Sequence, residues 1–243
     1  ILPYVQPGMR LLDVGCGPGS ITIGLAEHLA PGAVDALDIE QRRLDQAAAL
    51  ARENDVQNVQ FHLGSAYQLP FPDNTFDVVF EHMVLMHLSE PTVALKEAYR
   101  VLKPGGIFGG RDADWGGWLW GTHLHDEMVH HHAEFARHFL SRKGSNYLFG
   151  RHLAASVRAA GFEPVMPTAS YEVRATVETR TEFVNIWLGI LKDPEAAAFA
   201  TKLGFDAERL FPQWRAEFED WALHPDGLLA QAECEAVGWK PLR

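Results

Sequence analysis

The sequence has few cysteines, no long apolar run and no basic cluster. Its two cysteines, Cys16 and Cys234, stand far apart and form no CxxC pair, which argues against a disulfide framework and predicts a cytoplasmic protein. No apolar run approaches the roughly 20 residues that span a bilayer, so we expect no membrane segment. The start of the chain lacks the basic and apolar regions of a signal peptide. It also does not begin with Met, so whether further residues precede Ile1 is left open.

Positive charge is also scarce. Asp and Glu number 32 against 21 Lys and Arg, which gives a formal net charge of −11. Proteins that bind nucleic acids usually present a basic face that displaces counterions from phosphates. We therefore expect no nucleic-acid partner. The length of 243 residues suits one large α/β domain, and we predict a single domain over residues 1–243.

Between about residues 10 and 108, short apolar runs alternate with segments of helical periodicity. This alternation predicts right-handed βαβ units and a mostly parallel, Rossmann-like α/β sheet with helices on both faces. Ligands of such sheets bind beyond the carboxyl ends of the strands. The predicted strands of this region are 11–14, 33–39, 59–63, 76–80 and 107–112.

A glycine-rich turn follows the first predicted strand, in the sequence LLDVGCGPGS over residues 11–20. Glycine permits positive φ and lets the backbone approach a ligand closely, and the next helix offers free N–H groups. The dinucleotide fingerprint GxGxxG would need a glycine at Ser20, but the third glycine is Gly19. Asp13 would repel a pyrophosphate and would suit a ligand with an ammonium and a sulfonium group. A tight turn without a ligand is the alternative, and Cys16 is interpreted as a small filler of this turn.

A second acid, Asp38, ends the second predicted strand. In this topology that position faces the ribose of a bound nucleoside, where a carboxylate can accept from two hydroxyl groups. The alternative is an N-cap for the helix that begins near Gln41. The two roles do not exclude each other.

Four motifs between about Met9 and Phe108 carry a family resemblance: LLDVGCGPG, ALDIE, LPFPDNTFDVV and YRVLKPGG. In this order they resemble the class I S-adenosylmethionine-dependent methyltransferases, especially the small-molecule enzymes of the ubiquinone and menaquinone-biosynthesis type. The resemblance implies S-adenosyl-L-methionine as cofactor and in-line methyl transfer to a small molecule. The aromatic content after residue 112 favours an apolar or aromatic acceptor.

The resemblance also implies a seven-stranded sheet whose last strand is antiparallel. A later AAGFEPV resembles the start of the family's sixth strand, so we assign strand six from Phe162 onward. We assign strand seven to residues 228–237, although their composition alone favours a helix. Residues 178–224 then become a helical insertion, or lid, over the active site. Breaks in this helical segment are expected near Pro194, Gly204 and Pro212.

By the resemblance, Asp13, Gly15 and Gly17 would surround the methionine portion of the cofactor. Asp38 would hold the ribose, and Ile39 would pack on the adenine. The complete predicted set of cofactor-binding residues is Asp13, Gly15, Cys16, Gly17, Gly19, Asp38, Ile39, Ser65, Ala66, Glu81 and His82.

Two further segments of that set have particular roles. Ser65 and Ala66 would approach the adenine edge, and many relatives carry Asp where Ser65 stands. Glu81 and His82, just after the fourth predicted strand, would lie beside the methionine portion and the reactive methyl group.

A general base is needed only if the methyl acceptor must lose a proton, and histidine suits that role near neutral pH. Among the 12 histidines, the predicted catalytic residues are His82, His87 and His123. For each of them the alternative is a packing or hydrogen-bonding role. We predict no metal site, and a cluster of His123, His125, Asp126 and His130 is the alternative.

Aromatic residues follow the fifth predicted strand in the sequence WGGWLW. They could line an acceptor pocket or pack the helical segment onto the sheet. The predicted substrate-binding residues are Trp115, Trp118, Trp120, His125 and Trp239.

Three alternatives remain open. An enzyme of the same fold could use the cofactor for a cyclisation or rearrangement without methyl transfer, or the chain could be a non-catalytic S-adenosylmethionine-binding protein. The helical insertion could also serve as a homodimer contact.

Overall fold

A computed structural model describes residues 1–121, 124–142 and 144–242. The chain divides into two compact units, called unit 1 and unit 2 below. Unit 1 comprises Ile1–Ala113, Leu148–Ala169 and Cys234–Arg243, and unit 2 comprises Asp114–Tyr147 and Ser170–Glu233.

The described residues form strands and helices in an order that alternates in the first half of the chain. The strands are β1 Arg10–Val14, β2 Ala33–Asp38, β3 Val59–Leu63, β4 Phe76–His82, β5 Leu102–Ala113, β6 Leu119–Trp120, β7 Val165–Arg174 and β8 Leu229–Trp239. The helices are α1 Ser20–Leu29, α2 Gln41–Glu53, α3 Pro91–Val101, α4 Asp126–Ser141, α5 Leu153–Ala159, α6 Val177–Leu191, α7 Pro194–Lys202 and α8 Ala207–Leu223. Short 3-10 helices lie at Leu2–Tyr4, Leu85–His87, Trp115–Gly117 and Gly150–His152.

Five parallel strands of unit 1 stand in the order β3-β2-β1-β4-β5. Most residues of β1, β2 and β4 are buried, as in β4, where Phe76, Val78 and Val79 are fully buried, whereas β3 at the edge is only partly covered. Continuous apolar runs are typical of parallel strands covered by helices on both sides. The strand order changes direction at β1, which lies between β2 and β4, and ligands of this topology bind in the crevice at that point.

Strand β8 follows β5 in the sheet, and β7 pairs with β8. Near the start of β5, the Gly105 N–H donates to the Lys240 carbonyl at 2.8 Å, and the Lys240 N–H donates to the Gly106 carbonyl at 2.9 Å. The end of β8 therefore lies beside the start of β5, so the two strands are antiparallel. The predicted Rossmann-like sheet with an antiparallel last strand is confirmed.

Unit 2 is built on helices with one apolar face each. In α4 the residues Met128, His132, Phe135, Ala136 and Phe139 are buried, a spacing that places them on one side of a helix. They join a largely aromatic core with residues of α6, α7 and α8. The largest fully buried side chains of this core are Trp214, Trp221, Phe135 and Phe218.

Two details differ from the sequence predictions. The described residues contain eight strands rather than seven, because Leu119 and Trp120 pair with β8 and add the short strand β6. The helix break expected at Pro212 is wrong: α8 continues through it. Proline removes one helical hydrogen bond, and burial of Leu210, Phe211 and Trp214 around it offsets that loss.

The carboxyl-terminal segment is a strand, as the resemblance implied and its composition did not. Its Ala- and Glu-rich sequence has low intrinsic preference for strands. Pairing of β8 with β5, β6 and β7 overrides that preference. Pro167 does not end β7, which lies beside β8, and a proline is tolerated on a strand whose N–H side is unpaired.

Candidate active site

The glycine turn lies between β1 and α1. Gly15, Gly17 and Gly19 all have positive φ, at 72°, 54° and 87°, a region that favours glycine. A Cβ at Gly15 would lie 2.4 Å from Val84, and a Cβ at Gly19 would lie 2.8 Å from Ala47. A Cβ at Gly17 would meet nothing within 4 Å. Two of the glycines therefore permit close packing, and Gly17 borders open space.

The backbone of this turn is tied to β2. The N–H groups of Gly15 and Cys16 both donate to the Leu37 carbonyl, at 2.7 and 3.0 Å. Burial, together with the charges of Asp13 and Asp38, raises the pKa of Cys16 to about 12. The thiol is therefore protonated at neutral pH, which fits the interpretation of Cys16 as a filler rather than a nucleophile.

Asp38 braces both sides of the crevice. Its Oδ2 accepts from the Gly17 N–H and its Oδ1 accepts from the Glu40 N–H, each at 2.9 Å. The N-cap of α2 is Glu40, so Asp38 bonds to the capping residue and is not the cap itself. Each carboxylate oxygen keeps a second lone pair. Asp38 can thus hold the turn and still accept from hydroxyl groups of a ligand.

Asp13 is 3% exposed and lies at the same strand edge. Burial raises its pKa to about 6; the Thr22 hydroxyl, which donates to Oδ2 at 2.6 Å, opposes the shift, and the charge of Asp38 adds to it. A nearby cation would favour the ionised form. The position is therefore suited to a positively charged ligand.

The loop after β3 comes next to the end of β2. The Gly64 N–H donates to the Asp38 carbonyl at 3.0 Å, and Ser65 Oγ accepts from the Tyr67 N–H at 3.2 Å. Ile39 is 72% exposed, which leaves an apolar side chain uncovered beside Asp38. The structure thus brings Asp38, Ile39 and Ser65 to one edge of the sheet, as predicted for the nucleoside end of the site.

Glu81 turns toward the protein interior. Its Oε2 accepts from the Val84 N–H at 3.3 Å, whereas Oε1 is buried without a hydrogen-bond partner. Glu81 Oε1 lies where a side chain at position 110 would be, because a Cβ at Gly110 would lie 2.4 Å from Oε1. Burial and the negative charge of Asp112 raise the pKa of Glu81 well above its ordinary value. Glu81 is therefore an interior carboxyl group with a strong tendency to stay protonated.

The same two acids hold the turn after β4. Asp112, fully buried, accepts from the Met86 N–H at 3.3 Å, as Glu81 does from Val84. Met83 has a φ of 58°, which is costly for a residue with a side chain. Val84 of this turn fills the space that Gly15 leaves. The turn is thus pinned between the carboxyl end of β5 and the glycine turn.

His82 lies at the last position of β4, opposite Arg111 of β5. Its Nε2 is 3.1 Å from Arg111 Nη1. A guanidinium can only donate, so Nε2 accepts this hydrogen bond. The lone pair that a general base would use at Nε2 is engaged in this arrangement.

The other predicted catalytic and substrate histidines differ in setting. His87 ends the 3-10 helix Leu85–His87, and desolvation lowers its pKa below the ordinary value, so the ring is neutral near pH 7. His123 lies outside the described residues. In unit 2, His125 is the N-cap of α4; its Nδ1 is 3.6 Å from Glu217 Oε1, and its side chain is largely exposed.

The three tryptophans after β5 belong to the aromatic core of unit 2. Trp115 and Trp118 have ring centroids 4.2 Å apart, and Trp120 lies 5.5 Å from Trp221. Each is only partly buried. These contacts lie within unit 2, and both the packing of the helical segment onto the sheet and the substrate-binding role stay predictions. Trp239, in unit 1, meets Tyr4 edge to face at 5.2 Å.

The sequence predictions missed Arg111, Asp112 and Glu235. A usable signal existed in RDAD, since an acid at the end of a parallel strand was the reason for choosing Asp13 and Asp38.

Within the part of the chain that the structure describes, no group of three or more His, Cys, Asp or Glu could hold a metal ion. Among the same residues, no helix has the length and apolar character required to cross a bilayer.

Sequence comparisons relate the first half of the chain to known proteins. Residues 12–109 match the family model described as a methyltransferase domain. An uncharacterized methyltransferase of Schizosaccharomyces pombe is 46% identical over 120 residues, which are 47% of this chain and 43% of that protein. A demethylmenaquinone methyltransferase of Geobacillus is 43% identical over 103 residues, or 42% of this chain and 44% of that protein. The chain spans less than half the length of these curated relatives.

Solved structures resemble the chain over almost its whole length. The [4+2]-cyclase SpnF has a TM-score of 0.56 and 27% identity, covering 98% of this chain and 77% of that one. A putative methyltransferase from Bacillus halodurans has a TM-score of 0.58 and 20% identity, covering 98% of this chain and 95% of that one. The second likeness shows the fold alone.

Proposed function

We propose that this chain, whose residues 12–109 match the methyltransferase-domain model, binds S-adenosyl-L-methionine and transfers its methyl group to a small apolar or aromatic molecule. The observation that carries the proposal is the open space at Gly17, beside the carboxylate of Asp38. The positive φ of Gly17 serves the turn itself, and the uncovered backbone beside a carboxylate also leaves room for a ligand.

The residues around the turn match the chemistry of that cofactor. Bound there, it would supply a sulfonium whose methyl group leaves by in-line displacement, so the protein mainly positions the reactants and excludes water. Asp13 offers negative charge to the cationic portion, and Asp38 offers lone pairs to the ribose hydroxyls. Ile39 offers an exposed apolar surface to the base.

A general base is required only for acceptors that lose a proton. Of the predicted catalytic residues His82, His87 and His123, we favour His87, because its lowered pKa keeps the ring neutral near pH 7. The roles of Trp115, Trp118, Trp120, His125 and Trp239 in acceptor binding remain predictions. The same holds for the single domain over residues 1–243, the lid over 178–224, the homodimer, the cytoplasmic location and the absence of a nucleic-acid partner.

Calorimetry with S-adenosylhomocysteine tests the cofactor proposal. We expect Gly17→Ala to weaken binding about tenfold, or about 1.4 kcal/mol, because the new methyl group enters the space left for the ligand. Gly8→Ala is the matched control. Gly8 also has positive φ, at 90°, and nothing lies within 4 Å of its Cβ position, so Gly8→Ala shows what an alanine at positive φ does by itself. Equal affinities of the two variants, or no binding by the folded protein, would reject the proposal.

The likeness to the [4+2]-cyclase SpnF favours one second candidate: a cyclisation or rearrangement that needs the cofactor site but no methyl transfer. Product masses separate the two functions. Methyl transfer adds one methyl group in place of a hydrogen and consumes S-adenosylmethionine. A cyclisation leaves the mass unchanged and proceeds equally well with S-adenosylhomocysteine.

A further inference from the structure

A row of polar side chains crosses the last strands of unit 1. His82 of β4 stands opposite Arg111 of β5 in the parallel register. Arg111 Nε donates to Glu235 Oε1 of β8 at 3.4 Å, and the Thr168 hydroxyl of β7 donates to Glu235 Oε2 at 2.8 Å. Four neighbouring strands thus each contribute one member of a continuous hydrogen-bonded row.

The contact between Arg111 and His82 fixes the position of a proton. Arginine stays charged at any pH that a folded protein tolerates and carries only donors. The Nε2 of His82, 3.1 Å from Arg111 Nη1, therefore accepts. A neutral imidazole that accepts at one nitrogen carries its proton on the other. His82 is then the tautomer protonated at Nδ1.

Glu235 keeps Arg111 in place for this contact. The side chains of Arg111 and Glu235 are 28% and 22% exposed, so their pairing is partly shielded from water. Thr168 in turn orients the second oxygen of Glu235. The guanidinium is thereby held from the side opposite to His82, which reduces its freedom to swing away from Nε2.

We propose that Arg111, held by Glu235, is a positioning residue that keeps His82 as the neutral Nδ1-protonated imidazole and blocks proton uptake at Nε2. Protonation of Nε2 would break the Arg111 hydrogen bond and place a second positive charge beside the guanidinium. His82 therefore does not take a proton from a methyl acceptor at Nε2. That last consequence rests on the proposed function, whereas the tautomer does not.

Long-range 1H–15N correlation spectra of the imidazole rings test the tautomer directly, since protonated and unprotonated ring nitrogens have well-separated 15N shifts. The wild-type chain is measured near neutral pH, and His82→Gln assigns the His82 signals by their loss. We expect an unprotonated Nε2 and a protonated Nδ1. A protonated Nε2, in either the other tautomer or the imidazolium form, would overturn the proposal.

Variants test the part played by the row. In Arg111→Met we expect the Nε2-protonated tautomer of His82 to become populated, and in Glu235→Gln a smaller shift in the same direction. Thr168→Val, which removes only the outermost contact of the row, should change the spectrum less than Glu235→Gln does. An unchanged His82 spectrum in Arg111→Met would remove Arg111 from its proposed role. Binding of S-adenosylhomocysteine by the same samples reports separately on the proposed function, so either idea can fail alone.

Discussion

Three buried acids of unit 1 and the buried histidine of unit 2 have different surroundings. Asp13, Asp38 and Asp112 lie at or near the carboxyl ends of their strands, where each accepts a hydrogen bond. In unit 2, His132 is 2% exposed, sits among aromatic rings and has no partner at Nε2. Hydrogen-bonded charge at a strand edge suits ligand chemistry, whereas a polar atom enclosed by aromatic rings mainly costs stability. We therefore assign the cofactor chemistry to the strand edge of unit 1.

The largest expected effect comes from removing Asp38. In Asp38→Ala the N–H groups of Gly17 and Glu40 lose their acceptor, and the ribose would lose its carboxylate. Hydrogen bonds to charged groups contribute about 1.5–3 kcal/mol each, so we expect at least a hundredfold weaker binding of S-adenosylhomocysteine by calorimetry.

Asp35 provides the matched control for that variant. It is a buried acid of the same strand, paired with Arg10 and His62 rather than with the glycine turn. Asp35→Ala should lower stability in urea yet keep the affinity for S-adenosylhomocysteine within about threefold, well under the 1.4 kcal/mol of a tenfold change. Equal losses of affinity in both variants would mean that Asp38 acts only through folding.

The next effect is the acid sensitivity of unit 2. Burial lowers the pKa of His132 to about 3 from an ordinary value of 6.5. The unfolded chain therefore binds a proton below pH 6.5 that the folded chain rejects, and stability falls by about 1.4 kcal/mol per pH unit. Between pH 6.5 and 5, His132 should lower the free energy of unfolding of the wild type by about 2 kcal/mol. We expect His132→Phe to lack this loss.

Urea unfolding at several pH values measures this difference. The control is His138→Phe, since His138 is exposed on the same helix and should leave the pH dependence as in the wild type. If His132→Phe loses stability on acidification as steeply as the wild type, the burial of a neutral ring is not the cause.

A smaller effect concerns the affinity for the cationic cofactor. With a pKa of about 6, Asp13 is mostly protonated at pH 5 and mostly ionised at pH 7. Protonation removes the negative charge, so affinity for S-adenosylmethionine should rise about tenfold across that interval, equal to about 1.4 kcal/mol. In Asp13→Asn the affinity should be low throughout and nearly independent of pH. If the affinity of Asp13→Asn depends on pH as steeply as that of the wild type, a group other than Asp13 is responsible for the pH dependence.

The two kinds of polar site also differ in how far the sequence predicts them. Asp13 and the glycine turn lie close together in the sequence, and Asp38 is the acid at the end of the next strand, so local spacing and strand order suggest them. His82 meets Arg111, and Glu81 packs against Gly110, because of the register between β4 and β5. These strands are far apart in the sequence, so their register is fixed only in the folded sheet. Whether the tryptophans after β5 line an acceptor pocket or pack the helical segment onto the sheet likewise depends on tertiary contacts.

The smallest effect is expected for Glu81→Gln at low pH, which sharpens the contrast between Asp13 and Glu81. Below the ordinary carboxyl pKa of 4.5, Glu81 is protonated in both the folded and the unfolded chain. An amide of the same shape keeps the acceptor for the Val84 N–H and changes stability there by less than about 1 kcal/mol. Because burial raises the pKa of Glu81 in the folded chain, its stabilising contribution is complete at low pH and is lost as the pH rises through that raised value. The variant has no such group to ionise, so its free energy of unfolding in urea should rise relative to that of the wild type as the pH rises.

If instead the free energy of unfolding of the wild type rises relative to that of the variant at high pH, Glu81 is an ionised carboxylate in the folded protein.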